Sequence, residues 1–349
     1  MEHLFLPNTT KLMEQKHQND DFESFALYVK FGDSEFTLTS ENVNEDTYFD
    51  IASCGKILVT SPLALQAISE GKLSLESKLS EFFDCVPEDK KDITIKHILT
   101  HTSGIVRHSY VNSEPDKVAE EILSRPLAFD VGTDYAYSCS GMVLLGYVLE
   151  KVYGESLESL FERKIKKPLK YTRSKFNIRT DEPNAAICYH SRDVGDQPSP
   201  WDDKNIRILK TSAGSGGQFF TLSDIKKFAS AIMNKDETLY PKEIFDLAEM
   251  EHSPECASES RGLGWLYVDK KYHQTGELFT DGSFGHCGHA GQSIFFNRDK
   301  NMCVVILSNA THCLNKKSNY TGYDYNIICQ MRESIHNEIL KDLKQQGLF

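Results

Sequence analysis

A serine and a lysine stand three residues apart, Ser53 and Lys56, where the stretch Thr47-Tyr48-Phe49-Asp50-Ile51-Ala52 gives way to an apolar, helix-like run. On a helix that spacing puts both side chains on one face. A serine hydroxyl is a poor nucleophile until a base removes its proton, and a lysine one turn further on can do so only when neutral. A helix N-terminus assists, because its partial positive charge disfavours an ammonium and favours a developing oxyanion. Bringing a lysine from ~10.4 towards ~7 takes about 4–5 kcal/mol of differential destabilisation, so burial and polar neighbours must contribute. Alone, the pair reads equally well as a capping serine and a surface lysine. The rest of the chain has to decide.

Elements to position such a pair are present. Asn8 to His17 predicts a helix, and Phe25 to Phe31 predicts a strand that turns at Gly32-Asp33 into a second strand over Glu35 to Thr39. From Ile57 the apolar residues run nearly all round a buried helix that Pro62 must kink or interrupt and Gly71 ends. Between residue 72 and about 200 the patterns are helical, notably Ile93 to Leu99, Ser138 to Tyr153 and Ser156 to Ile165. After Trp201 comes a helix capped by Thr221, with Asp224 completing a capping box. Strands are expected over Gly262 to Val268, Ser293 to Asn297 and Met302 to Ser308, then an amphipathic helix from Tyr325 to Lys344 with Ile328, Met331, Ile335, Ile339 and Leu343 on one face. The fold class is therefore α+β. An antiparallel sheet with flanking helices is built from both ends of the chain (1–70 and 205–349), with a mostly helical lobe (71–204) inserted.

The 349 residues, 40% hydrophobic, can bury a substantial core, and a formal net charge of -12 opposes nucleic-acid or anionic-membrane binding. A small-molecule or peptide substrate is expected, with no cofactor or metal. No run is apolar enough to span a bilayer, the N-terminus lacks the pattern of a secretory signal, and nine scattered cysteines without a Cys-x-x-Cys pair argue for a cytoplasmic address. A chain shorn of its leader would read the same.

Four further stretches join Ser53-Cys54-Gly55-Lys56: Ile93-Thr94 through Leu99-Thr100-His101-Thr102-Ser103-Gly104; Tyr135-Ala136-Tyr137-Ser138-Cys139; Gly216-Gly217 through Thr221 and Asp224; and Gly285-His286-Cys287-Gly288. Together they resemble the serine β-lactamase and penicillin-binding-protein superfamily, in the branch of class C β-lactamases, D,D-carboxypeptidases and related esterases. The resemblance implies the β-lactamase/transpeptidase fold, Ser53 as the acylated nucleophile, Lys56 as its proton partner and Tyr137 as the second acid/base. It places the oxyanion hole at the backbone N–H groups of Ser53 and His289, and substrate binding at Cys139, His286, Cys287 and Gly288. Cys139 stands where this branch usually has asparagine, a weak donor and acceptor in place of an amide. His101 is expected to hold a turn. Cys54, Cys139 and Cys287 would crowd the pocket with thiols if all three faced it.

Other readings compete. Ala213-Gly214-Ser215-Gly216-Gly217 is similar to the nucleophile elbow of α/β-hydrolases, although an elbow needs a strand running straight into a helix at the serine. His286, Cys287 and His289 could be metal ligands, but neighbouring strand positions point to opposite faces. A non-catalytic descendant that binds peptides or acts as a scaffold would keep the fold without needing Ser53, Lys56 and Tyr137 together. The expectation is an acyl-enzyme hydrolase or acyl transferase for an ester or amide, with D-amino-acid peptidase or β-lactamase activity as the alternative.

Overall fold

The strand Phe25–Phe31 is apolar at nearly every position because it is covered on both faces and flanked on both edges. In the computed structural model of the chain, which describes residues 4–107, 114–178, 181–186, 189–190, 198–199, 213–255, 257–269, 274–319 and 321–349, it pairs with Ser34–Thr39 on one side and Met302–Ser308 on the other. Ser293–Asn297, Phe284–Cys287 and Leu266–Tyr267 follow outward, every pairing antiparallel, giving six strands drawn from the two ends of the chain. Gly32, at φ 58°, makes the tight turn of the first hairpin.

Alternation along Met302–Ser308 divides the core. Val304 and Ile306 face the helices Pro7–Gln18 and Asn326–Gln345, where Met13, Ile335 and Ile339 are buried. Cys303, Val305 and Leu307 face the larger core, which takes in Ile57, Leu99, Leu145, Phe228 and Trp265. The closing helix buries the five residues its periodicity predicts. Helices Ile95–Leu99, Val118–Ser124, Cys139–Tyr153 and Leu157–Phe161 fill the middle of the chain as expected.

The strand expected over Gly262 to Val268 shrinks to Leu266–Tyr267. Gly264 takes a φ of 82°, and Gly262 lies so close to the backbone that a Cβ there would fall 2.4 Å from the Ala248 carbonyl oxygen. Glycines doing this work make a turn, not a ladder. Periodicity also misses a second sheet, of Phe49–Asp50, Gln218–Phe220 and Lys175–Phe176, whose strands of two or three residues are too short to show alternation. The polar, proline-containing loop from Asp181 to Asp203 falls largely outside the described residues, as does the lobe boundary at 204–205. Of that loop, the backbone of Tyr189–His190 pairs with Pro198–Ser199.

Asp224 corrects another expectation. Thr221 caps the helix Leu222–Asn234 through its hydroxyl, but the Asp224 carboxylate does not complete the box. It accepts from the backbone N–H groups of Thr172 (2.9 Å), Arg173 (2.9 Å) and Ser174 (2.7 Å), and from Lys227 Nζ (3.0 Å). It thereby fixes the strand Lys175–Phe176, which pairs with the strand beside Phe49–Asp50 just before Ser53. Burial alone would raise the Asp224 pKa, but the three N–H donors and Lys227 outweigh it and hold the group below its ordinary value. Asp224→Ala should therefore cost about 3 kcal/mol in urea unfolding at pH 7, the range for stripping a buried charged acceptor from its donors. Because the folded pKa is depressed, this stabilisation is complete above about pH 4 and fades as pH falls through the folded value, so the two proteins should converge in acid.

Candidate active site

Ser53 lies in a 3₁₀ turn, Ala52–Cys54, that runs into a π-helical turn, Lys56–Thr60, and then the α-helix Ser61–Ser69. The interruption expected of Pro62 takes this form: a proline cannot donate back along the helix, and the π turn precedes it. Ala52 adopts φ 46°, unusual for a residue with a Cβ, and Asp50 Oδ1 accepts its N–H at 2.8 Å. At Gly55 a Cβ would fall 2.1 Å from Gln218 Oε1, so any larger residue between Ser53 and Lys56 must displace the Gln218 amide of the second sheet.

Lys56 is fully buried, and its Nζ donates to Ser53 Oγ at 2.9 Å and to the Ser215 carbonyl at 2.9 Å, with Cys139 Sγ at 3.5 Å. Lys56 Nζ also sits 5.1 Å from the centre of the Tyr137 ring. Ser53, by contrast, is only half-buried. Solvent reaches part of the serine but not the lysine beside it.

The Ser215 carbonyl is delivered by the glycine-rich turn. Ala213 and Gly216 exchange backbone hydrogen bonds, and Thr60 Oγ1 donates to the Gly214 carbonyl at 2.7 Å. Gly214 presses so closely on the helix Cys139–Tyr153 that a Cβ would lie 2.0 Å from the Met142 carbonyl oxygen. A turn, then a strand, and only then a helix follow Ser215, which is not the geometry of a nucleophile elbow. The segment serves Lys56 through its backbone.

Tyr137 is half-buried overall, but its hydroxyl is shut off from solvent; it lies near Ser53 without making a hydrogen bond of good geometry. Burial pushes the phenol well above its ordinary value and the Cys139 thiol adds to this, while Ser53 and the Arg261 guanidinium work against it. Tyr137 is therefore a protonated phenol at neutral pH. His101, at φ 58°, positions it: the His101 carbonyl accepts from Ala136 N–H, its Nδ1 accepts from Ser138 N–H at 3.3 Å, and its ring packs 4.7 Å from that of Tyr137. This is the turn-holding role expected for it.

His286 reaches the same cluster from the Phe284–Cys287 strand, its ring 5.9 Å from that of Tyr137 and its Nδ1 donating to the Cys287 carbonyl at 2.7 Å. Burial first, then Arg261 and Lys56, push both His286 and His101 well below their ordinary values, so both are neutral. Just beyond, Gly288 abuts the Ser53 turn: a Cβ on it would lie 2.9 Å from the Ile51 carbonyl oxygen, and Cys54 Sγ donates to the His286 carbonyl at 3.7 Å. His289 is exposed, its ring stacked 5.1 Å from Tyr325 and its Nε2 3.0 Å from the Tyr323 hydroxyl. The two histidines thus diverge, as ligands of one metal would not.

The three motif cysteines separate as well. Cys139 lies beside Lys56, Cys54 is fully buried with its thiol pushed up by burial, and Cys287 packs against the core under the closing helix. The motifs gave no sign of Arg261. It is buried, donates to Tyr135 Oη and Glu259 Oε2 at 2.6 Å each, and sets its guanidinium carbon 5.6 Å from the centre of the Tyr137 ring. Only its place one residue before Gly262-Leu263-Gly264-Trp265 ties it to the fold, and spacing alone does not mark such a residue.

A family model described as beta-lactamase matches residues 24–320. The N-acetylmuramyl-L-alanine amidase of Bacillus subtilis (strain 168) is 24% identical over 328 residues, covering 83% of this chain and 74% of that protein. The lovastatin esterase of Penicillium rubens is 29% identical over 279 residues, 69% of each chain. The solved structure of EstCE1, a hydrolase with promiscuous acyltransferase activity, superposes with a TM-score of 0.75 at 18% identity, covering 95% of this chain and 98% of that one. With the motif residues gathered in one place and the family match running through most of its length, this chain belongs to the beta-lactamase family of serine hydrolases.

Proposed function

We propose that the protein hydrolyses, or transfers the acyl group of, an ester or amide through an acyl-enzyme on Ser53. The observation that carries this is the 2.9 Å contact between a fully buried lysine amine and the hydroxyl of a half-buried serine, with a protonated phenol beside them. Ser53 Oγ attacks the substrate carbonyl as neutral Lys56 takes its proton, and the oxyanion is held by the N–H groups of Ser53 and His289. Tyr137 gives its proton to the departing alkoxide or amine. The phenolate left behind is favoured by Arg261 and the newly formed Lys56 ammonium, and it then takes a proton from the water or alcohol that attacks the acyl-enzyme. Lys56 returns its proton to Ser53, and every proton is accounted for.

His286, neutral, orients the substrate carbonyl or carboxylate. Gly288 and the backbone of Cys287 bound the strand end beside the Ser53 turn, and Cys139 lies against Lys56. With a thiol at 139 in place of an amide, esterase, amidase or acyl-transfer work suits the pocket better than turnover of cell-wall peptides or β-lactams. Among the described residues no helix is long and apolar enough to cross a membrane, and the described cysteines are free thiols. A cytoplasmic address is part of this reading.

Brief exposure to a short-chain p-nitrophenyl ester followed by intact-mass measurement and peptide mapping tests it. One acyl group should appear on Ser53, transiently, and none on Ser53→Ala. An adduct on another residue, or turnover surviving in the variant, would overturn the assignment.

A further inference from the structure

The closing helix carries a charge on its buried face. Arg332 is fully buried among Ile328, Met331 and Ile335, and a guanidinium is taken out of water only where it has work to do. Its Nη1 donates to Gln274 Oε1 at 2.5 Å, and Nη1 and Nη2 lie 3.4 and 3.3 Å from the Tyr325 hydroxyl. Its Nη2 also donates to the carbonyl oxygen of Gly288.

That carbonyl shares a peptide unit with the His289 N–H. A peptide unit is planar and trans, so its C=O and N–H point in opposite directions. Pinning the oxygen towards the helix turns the N–H away from it. The other side of this strand end is the Ser53 turn, against which Gly288 and the His286 carbonyl are packed. A hydrogen bond from a cation is stronger than one between neutral groups, and chains of such bonds polarise one another. The guanidinium therefore both aims the His289 N–H and makes it a stronger donor.

We propose that Arg332 is a positioning residue for the oxyanion hole, fixing and polarising the Gly288–His289 peptide so that its N–H meets the charge developing at the acylated serine. The proposal rests on the acyl-enzyme reading and on His289 N–H as one of the two donors. Arg332 touches no substrate; it acts through one peptide bond.

Two readouts separate this role from plain packing. In the first, Arg332→Gln and Arg332→Lys are compared with wild type for acylation rate, KM and inhibition by phenylboronic acid, whose boron accepts an electron pair from Ser53 Oγ and becomes a tetrahedral anion. Loss of a working oxyanion donor costs about 10²–10³ in kcat, so a misaimed one is expected to cost Arg332→Gln about 10- to 100-fold. Boronate affinity should fall in parallel, KM should change little, and Arg332→Lys, which keeps the charge, should recover most of the loss. In the second, the infrared carbonyl stretch of a ¹³C-labelled acyl-enzyme should rise in frequency in Arg332→Gln, because a weaker oxyanion hole polarises the ester less. Equal frequencies and parallel losses of boronate and substrate binding in both folded variants would overturn the proposal. If Arg332→Gln does not fold, an Arg332→Lys protein matching wild type in rate and frequency supports it, and one that has lost both overturns it. Failure of wild type itself to form an adduct on Ser53 would instead bring down the acyl-enzyme reading beneath it.

Discussion

Ser53→Ala, Lys56→Ala and the double variant should all lower kcat/KM for an activated ester to the same floor, about 10⁴-fold or more below wild type. Residues that act as one unit lose their joint effect when either is removed, and here the unit is a single 2.9 Å contact. A fall of 10⁴ corresponds to about 5.5 kcal/mol of transition-state stabilisation, within reach of a base and nucleophile acting together. Lys56→Met is the sharper control, because it nearly fills the volume of the buried lysine without its amine. It removes the donor to the Ser215 carbonyl and to Ser53 while sparing the packing against the Tyr137 ring. Steady-state kinetics on the four proteins, with circular dichroism to confirm folding, checks this. Losses that multiply in the double variant would mean that serine and lysine act separately, and the proton transfer between them would have to be given up.

In kcat/KM, which reports acylation, Tyr137→Phe should fall about 10²–10⁴-fold on an alkyl ester or an amide and much less on a p-nitrophenyl ester. The difference follows from the protonated phenol. A p-nitrophenolate leaves without help, whereas an alkoxide or amine needs the proton that Tyr137 holds. Deacylation needs the phenolate to receive a proton, so the variant should also accumulate acyl-enzyme on Ser53, visible by intact mass. Arg261→Met makes a milder version of the same defect. The guanidinium is one of the groups that lower the Tyr137 pKa against burial and the Cys139 thiol, so its loss raises that pKa further. Any alkaline limb set by Tyr137 should move to higher pH, and acylation by alkyl esters and amides, the step that creates the phenolate, should slow more than deacylation, which consumes it. Arg261→Lys, which keeps a cation beside the ring, should lie between the two. A uniform loss of kcat/KM on all esters in Tyr137→Phe would rule out its acid role.

The chemistry in this chain was easier to read than its support. Ser53, Lys56 and Tyr137 announce themselves because local motifs carry them, and the structure gathers them with His286 around one ring. The central strands were legible because their apolar runs are long. The second sheet was not, since Phe49–Asp50 and Lys175–Phe176 hold two residues each, and the approach to Lys175–Phe176 is fixed by Asp224, some fifty residues further along the chain. The acidic residue at the third position of a capping box normally turns back on its own helix. Here three backbone donors from another segment outbid Thr221, and nothing local reveals that. Arg261 reads as a surface charge until the fold lays it on Tyr137. Arg332 left one trace: it falls four residues after Ile328 and three before Ile335, a charge in the register of the apolar face.

The placement of Met302–Ser308 between the N-terminal hairpin and the other C-terminal strands orders events during synthesis. A ribosome releases the chain from its N-terminus, so Ser53 and Lys56 emerge early, with the hairpin of residues 25–39 beside them. Until residues 302–308 are made, that hairpin shows the cell an open, apolar edge, because its partner strand is missing. The peptide after Gly288 and the helix that braces it also arrive late. On the proposed mechanism, a chain cut short before Gly288 holds Ser53 and Lys56 without the second oxyanion donor or the arginine that braces it, and stray acylation is held off until both have been made.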